Sequence, residues 1–125
     1  MNRRYSIGSA LGAFAIWGAW AFWVNHHAGM SQAVRSGLTQ GAASFLITLA
    51  MVRLVEYLFA RWRYPLRLWL PPVLTVSLTG SCLASVHWLV KTPHILSTIA
   101  LPLFVALSFC LFTAYKLERQ QQTQP

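Results

Sequence analysis

Lysine, arginine, aspartate and glutamate are missing from four long stretches of this chain, 5–34, 36–52, 68–90 and 92–115. A helix needs about 20 mostly apolar residues to cross the hydrocarbon core of a bilayer. The first, third and fourth stretches are long enough as they stand. The second becomes so if its helix runs on through Arg53 and Glu56 to about Ala60. The pattern excludes a water-soluble domain. Only 10% of the 125 residues are charged, against roughly 25% in soluble domains, too few to coat a soluble core. Disorder is excluded too, because 56% of the residues are apolar and disordered chains lack such residues.

The expectation is therefore an all-α integral membrane protein with four transmembrane helices in an antiparallel up-down bundle. The helices are placed at about 7–24, 41–60, 70–90 and 94–115, within one membrane domain over 1–117. The segment 30–40 reads as an amphipathic interfacial helix or as an extension of the second helix. A Gln-rich tail over 118–125 reads as disordered. Arg3 and Arg4 before an apolar run raise the thought of a signal peptide. The bulky Trp17, Trp20, Phe22 and Trp23 at the end of that run argue for a retained helix instead, because cleavage sites favour small residues.

The net charge of +8 does not point to nucleic acid, because the basic residues lie between apolar runs. There they set topology. Arg3, Arg4, Arg61, Arg63, Arg67, Lys116 and Arg119 fall on one side, and only Arg35 and Lys91 on the other. The positive-inside rule then places both ends of the chain in the cytoplasm, in a bacterial inner membrane. Trp20, Trp23 and Trp88 fall near the outer boundary and Trp62 and Trp69 near the inner one, where indole rings favour the headgroup level.

Proline marks the joints. Pro71 and Pro72 suit the first turn of the third helix, and Thr92-Pro93 reads as an N-cap followed by proline at the first helical position. Pro102 lies inside the fourth helix and frees the carbonyl of Thr98, with Ser97 and Thr98 near enough to help satisfy it. Cys82 and Cys110 sit in separate apolar runs with no CxxC. They read as buried thiols at depths about 11 Å apart, by the helical rise of 1.5 Å per residue, too far for a disulfide.

Helix association in lipid depends on close backbone approach through small residues. Gly8, Gly12, Ala15 and Ala19 form one stripe; Gly37, Gly41, Ser44 and Thr48 form a second; Gly80 lies beside Ser77 and Ser81 on the third helix. Packing within the chain and a homodimer seam are both open uses of these stripes.

Arg53 and Glu56 carry the strongest functional signal. They are three residues apart and share a helix face. If the helix spans 41–60, they lie about 4 Å and about 8 Å from its midpoint on the cytoplasmic side. Such charges are costly in lipid and take partners. By depth, Ser9, Thr75, Ser77 and Ser108 are the nearest polar candidates. A structural salt bridge, a polar site or proton-linked path for a transported substrate, and lipid-headgroup contact by a shifted helix all fit.

His26, His27, His87 and His94 all fall near outer helix ends. Without acidic or cysteine ligands beside them they read as interfacial residues; no metal, cofactor or catalytic set is assigned. In size, helix number and a single membrane glutamate the chain resembles the small multidrug-resistance transporters. The resemblance is architectural: their essential glutamate lies in the first helix, whereas Glu56 lies in the second. The expected function is a non-enzymatic accessory or assembly component of a membrane system. The partners are the bilayer and either a second copy or a larger membrane protein. The alternative is a small oligomeric transporter or flippase for an amphipathic or anionic substrate, built on Arg53 and Glu56.

Overall fold

The computed structural model describes residues 3–124, so residues 1 and 2 of the expected membrane domain and residue 125 of the expected tail lie outside the described residues. Within them the chain is helical and has no strand. Helix α1 spans Arg3–Asn25, α2 Met30–Phe59, α3 Leu66–Leu89 and α4 Ile95–Gln122. All four are long and apolar enough to cross a membrane. The outer surface is apolar: Leu96, Trp88 and Phe104 are 79%, 72% and 68% exposed. Such a surface suits an apolar surrounding.

All four helices are longer than expected. The segment 30–40 continues α2 without a break. A single turn of 3₁₀ helix, His26–Ala28, and Gly29 join α1 to α2. Gly29 has φ of 111°, which an L side chain rarely adopts. Helix α3 begins a turn earlier than expected, so Pro71 and Pro72 lie inside it. Helix α4 begins at Ile95 with His94 at its N-cap, so Thr92-Pro93 does not start it. Nor does the tail leave the helix at 118; α4 runs on to Gln122. The reason is the side chain of Glu118, which is buried against Arg67 of α3.

Thr92 instead completes the end of α3. Its N–H donates to the carbonyl of His87 at 3.0 Å, and the N–H of Lys91 donates to that of Trp88 at 3.2 Å. This is the Schellman pattern, with Lys91 at φ 62° in the left-handed position where glycine is usual.

Helix α1 packs chiefly on α2, and α3 on α4. A Cβ on Gly18 would lie 3.0 Å from the carbonyl oxygen of Gly37, and one on Gly37 would lie 3.1 Å from that of Gly18. Gly41 meets Phe14 in the same way. Gly37 and Gly41 therefore serve the seam expected of them, but their counterpart on α1 is Gly18. Gly8 and Gly12 have no neighbour within 4 Å of a built Cβ and point away from the other helices. Gly80 of α3 abuts the side chain of Leu103.

The two ends of the bundle differ. At one end Arg67 Nε and Nη2 donate to the two carboxylate oxygens of Glu118, at 2.6 and 2.9 Å, and the guanidinium lies 5.1 Å from the Phe59 ring centroid. Met51, Val55, Phe59, Cys110 and Ala114 form the apolar core beside this arginine end. At the other, the histidine end, buried polar side chains replace the apolar core.

Candidate functional site

The site at the histidine end begins with His87, near the end of α3 and completely buried. Its Nε2 lies 2.7 Å from Gln40 Oε1 on α2, and its Nδ1 lies 2.6 Å from Thr92 Oγ1 in the α3–α4 link. An amide oxygen only accepts, so the proton sits on Nε2 and the Thr92 hydroxyl donates to Nδ1. Ser36 Oγ donates to Thr92 Oγ1 at 3.3 Å, and Gln40 Nε2 donates to Ser44 Oγ at 3.3 Å. Ser36, Thr92, His87, Gln40 and Ser44 thus form one directional chain. Its positions on α2 recur at 36, 40 and 44, one helical turn apart. The Schellman turn brings Thr92 back onto His87.

A second cluster ties α1 to α4. Asn25 Nδ2 donates to Ala21 O and to Thr98 Oγ1, both at 2.8 Å, while Asn25 Oδ1 accepts from the His94 N–H at 3.0 Å. The carbonyl of Thr98, freed by Pro102, accepts from the indole N–H of Trp20 at 3.1 Å. The defect expected from Pro102 is therefore satisfied from α1, not by Ser97 or Thr98. Trp20 turns its N–H onto this carbonyl, where the sequence suggested a headgroup anchor.

Towards the arginine end, α1 and α4 part. The cleft between them has a volume of about 200 Å³ and is lined by Ser6, Trp17, Thr48, Met51, Pro102 and Phe109, among others. A narrower gap of about 40 Å³ shares Trp17, Thr48, Met51 and Pro102 with it and reaches Gln40 and Ser44. An apolar cleft thus leads to the end of a polar chain. Among the described residues no charged side chain lines either space.

Arg53 and Glu56 lie elsewhere. Both are exposed on α2, and neither side chain forms an ion pair or hydrogen bond among the described residues. The buried residues of α2, such as Gln40, Ser44, Met51 and Val55, lie on its opposite side at 100° per residue. The arginine precedes the glutamate, the less favourable order for pairing within a helix. Ser9, Ser77 and Ser108 are themselves exposed and do not meet the pair. Ser108 Oγ donates to Phe104 O at 3.0 Å on its own helix, and Ser77 O accepts from Ser81. Thr75 is buried, and its hydroxyl has no hydrogen-bond partner among the described residues.

The four histidines do not act together. His87 is the heart of the buried chain. His94 is exposed and contributes backbone groups alone, its N–H to Asn25 and its carbonyl to Thr98. His26 and His27 are exposed and their rings lie 3.9 Å apart, His26 Nδ1 against the carbonyl of Trp23. Among the described residues no group of three His, Cys, Asp or Glu could hold a metal ion. Cys82 and Cys110 are free; Cys110 is buried but Cys82 is exposed, against the expectation that both are buried.

Sequence reasoning missed Asn25, Ser36, Gln40, Thr92 and Thr98 as site residues. The signal was available: single polar residues in or beside apolar runs require hydrogen-bond partners. No family model matches the chain, and no curated protein or solved structure matches it.

Proposed function

We propose that this chain is a non-enzymatic component of a bacterial inner membrane, spanning it four times as an antiparallel up-down bundle with both ends in the cytoplasm. Its function is to dock another membrane-embedded protein through the exposed face of α2. The observation that carries this is the pair Arg53 and Glu56, exposed on a helix apolar enough to cross a membrane. A lone charge costs about 2.5–3.5 kcal/mol at the bilayer centre on insertion scales, and less here, because Arg53 and Glu56 lie about 13 Å and about 17 Å from the midpoint of α2, towards the arginine end. Side chains on a helix lean towards its N-terminus, so Arg53 leans away from the arginine end and its nearest water. A protein partner that pairs both charges removes this cost. The orientation rests on seven basic residues at one end against two at the other.

A photoreactive side chain at Leu49, one turn from Arg53, tests the reading in native membranes. The expected result is a protein adduct that depends on Arg53 and Glu56, with lipid adducts alone from Phe104 on α4. Lipid adducts alone from both positions would refute docking.

A transporter or flippase for an amphipathic or anionic substrate is the second reading. The cleft between α1 and α4 favours it, because an acyl chain fits its apolar walls while a polar group reaches Gln40 and Ser44. Arg53 and Glu56 do not border that space, so this reading predicts that Gln40→Leu abolishes transport. Loss of transport on Glu56→Gln, with folding and assembly intact, would instead restore the pair to the pathway.

A further inference from the structure

We propose that the helix docked on the α2 face is α2 of a second copy, in a parallel two-fold pair where each Arg53 meets the partner's Glu56. The proposal rests on the docking reading and names its partner. Two observations carry it.

The first is spacing. Ala42, Leu46, Leu49, Arg53, Glu56 and Ala60 are all exposed, and they follow one another at alternating steps of four and three residues. That is the seam by which two helices supercoil with left-handed, knobs-into-holes packing, the common crossing in membrane bundles. Among the described residues the seam is left uncovered, because the buried positions of α2 occupy the other side. A shallow apolar groove runs beside it, formed by Leu11 and Phe14 of α1 with Ala42, Phe45 and Leu46. Small Ala42 and this groove leave room for the leucines of an opposing helix.

The second is charge. A two-fold contact places the same patch against itself, so the patch must complement itself. One arginine and one glutamate on adjacent layers do so. In a parallel pair the two arginines share one layer and the two glutamates the next, about 4.5 Å along the axis. Each guanidinium then lies within reach of the opposite carboxylate, and the four charges sum to zero. An unlike partner would have to supply the same two charges at the same spacing. A second copy has them by identity.

The test uses full-length chains in lipid vesicles, carrying two different tags, with Cys82→Ala, Cys110→Ala and Leu49→Cys for crosslinking. The unmodified pair is expected to crosslink between tags. R53E alone and E56R alone place like charges across the axis, and each is expected to lower crosslinking by about tenfold. Mixing R53E chains with E56R chains restores opposite charges in both contacts, and crosslinking between the two variants is expected to return. That recovery shows that both variants fold. Absence of crosslinking in the unmodified pair overturns the dimer, as does crosslinking indifferent to R53E and E56R or failure of the mixture to recover. If the photoreactive Leu49 position captures an unlike protein while the tags never pair, the dimer is wrong and docking stands. Lipid adducts alone end both.

Discussion

Single residues on α2 divide into those that hold the chain together and those that face away. Gly37 belongs to the first kind. Its Cβ position falls 3.1 Å from a backbone oxygen of α1, and backbone cannot step aside. Gly37→Ala or Gly18→Ala should therefore lower stability by about 1–3 kcal/mol, the usual cost of overpacking, whereas Gly12→Ala, with open space around it, should be neutral. Reversible unfolding in mixed micelles measures the difference. His87 of α3 also holds the chain together, through Gln40 of α2. His87→Leu strands Gln40 and Thr92, and Gln40→Leu strands His87 and Ser44, each at about 1–3 kcal/mol. The double variant removes donor and acceptor together, so it should cost less than the sum of the two. Equal, additive costs would mean that the two side chains do not share a bond. Gly37 and Gly41 were legible from spacing. His87 was not, because its position near a helix end suggested an interface and only the tertiary fold brings Gln40 and Thr92 to it.

Elements end where their carbonyls and N–H groups find partners, which need not coincide with the end of an apolar run. This is why the number of helices was legible in the sequence and their limits were not. Charged residues interrupt the runs at Arg35, Arg53, Arg61 and Lys91, but a helix continues through a charge that has a place to go. Glu118 has such a place on Arg67, and α4 keeps another turn beyond it. Glu118→Gln removes the charge and should fray that end. Limited proteolysis after Tyr115 should then speed up, while the rest of α4 stays protected. The turn after α3 offers the opposite case. Lys91 holds a left-handed conformation that costs an ordinary residue about 1–2 kcal/mol. Part of this is offset by the greater freedom of glycine in the unfolded chain. Lys91→Gly should thus raise stability by about 0.5–1 kcal/mol, and Lys91→Val should lower it. A loss on Lys91→Gly would mean that the lysine side chain has a role of its own in the link.

The described residues combine a polar interior at one end, an apolar interior at the other and largely apolar flanks, on which α2 carries the exposed Arg53 and Glu56. The interior networks hold α1 to α4 and α2 to α3, so the α2 face is held rigidly and presented outward. Its charges were legible because Arg53 and Glu56 stand out in an apolar run. Their direction was not, since helical spacing says which residues share a face but not what the face meets. This face can meet a partner in lipid only if it lies within a bilayer that the chain crosses four times. Labelling with a membrane-impermeant thiol reagent tests that directly, on intact cells carrying Cys82→Ala and Cys110→Ala and one new cysteine. His27→Cys should react in intact cells, Arg63→Cys and Gln120→Cys only after permeabilisation, and Leu49→Cys in neither state. Ready reaction of Leu49→Cys, or of Gln120→Cys before permeabilisation, would contradict it.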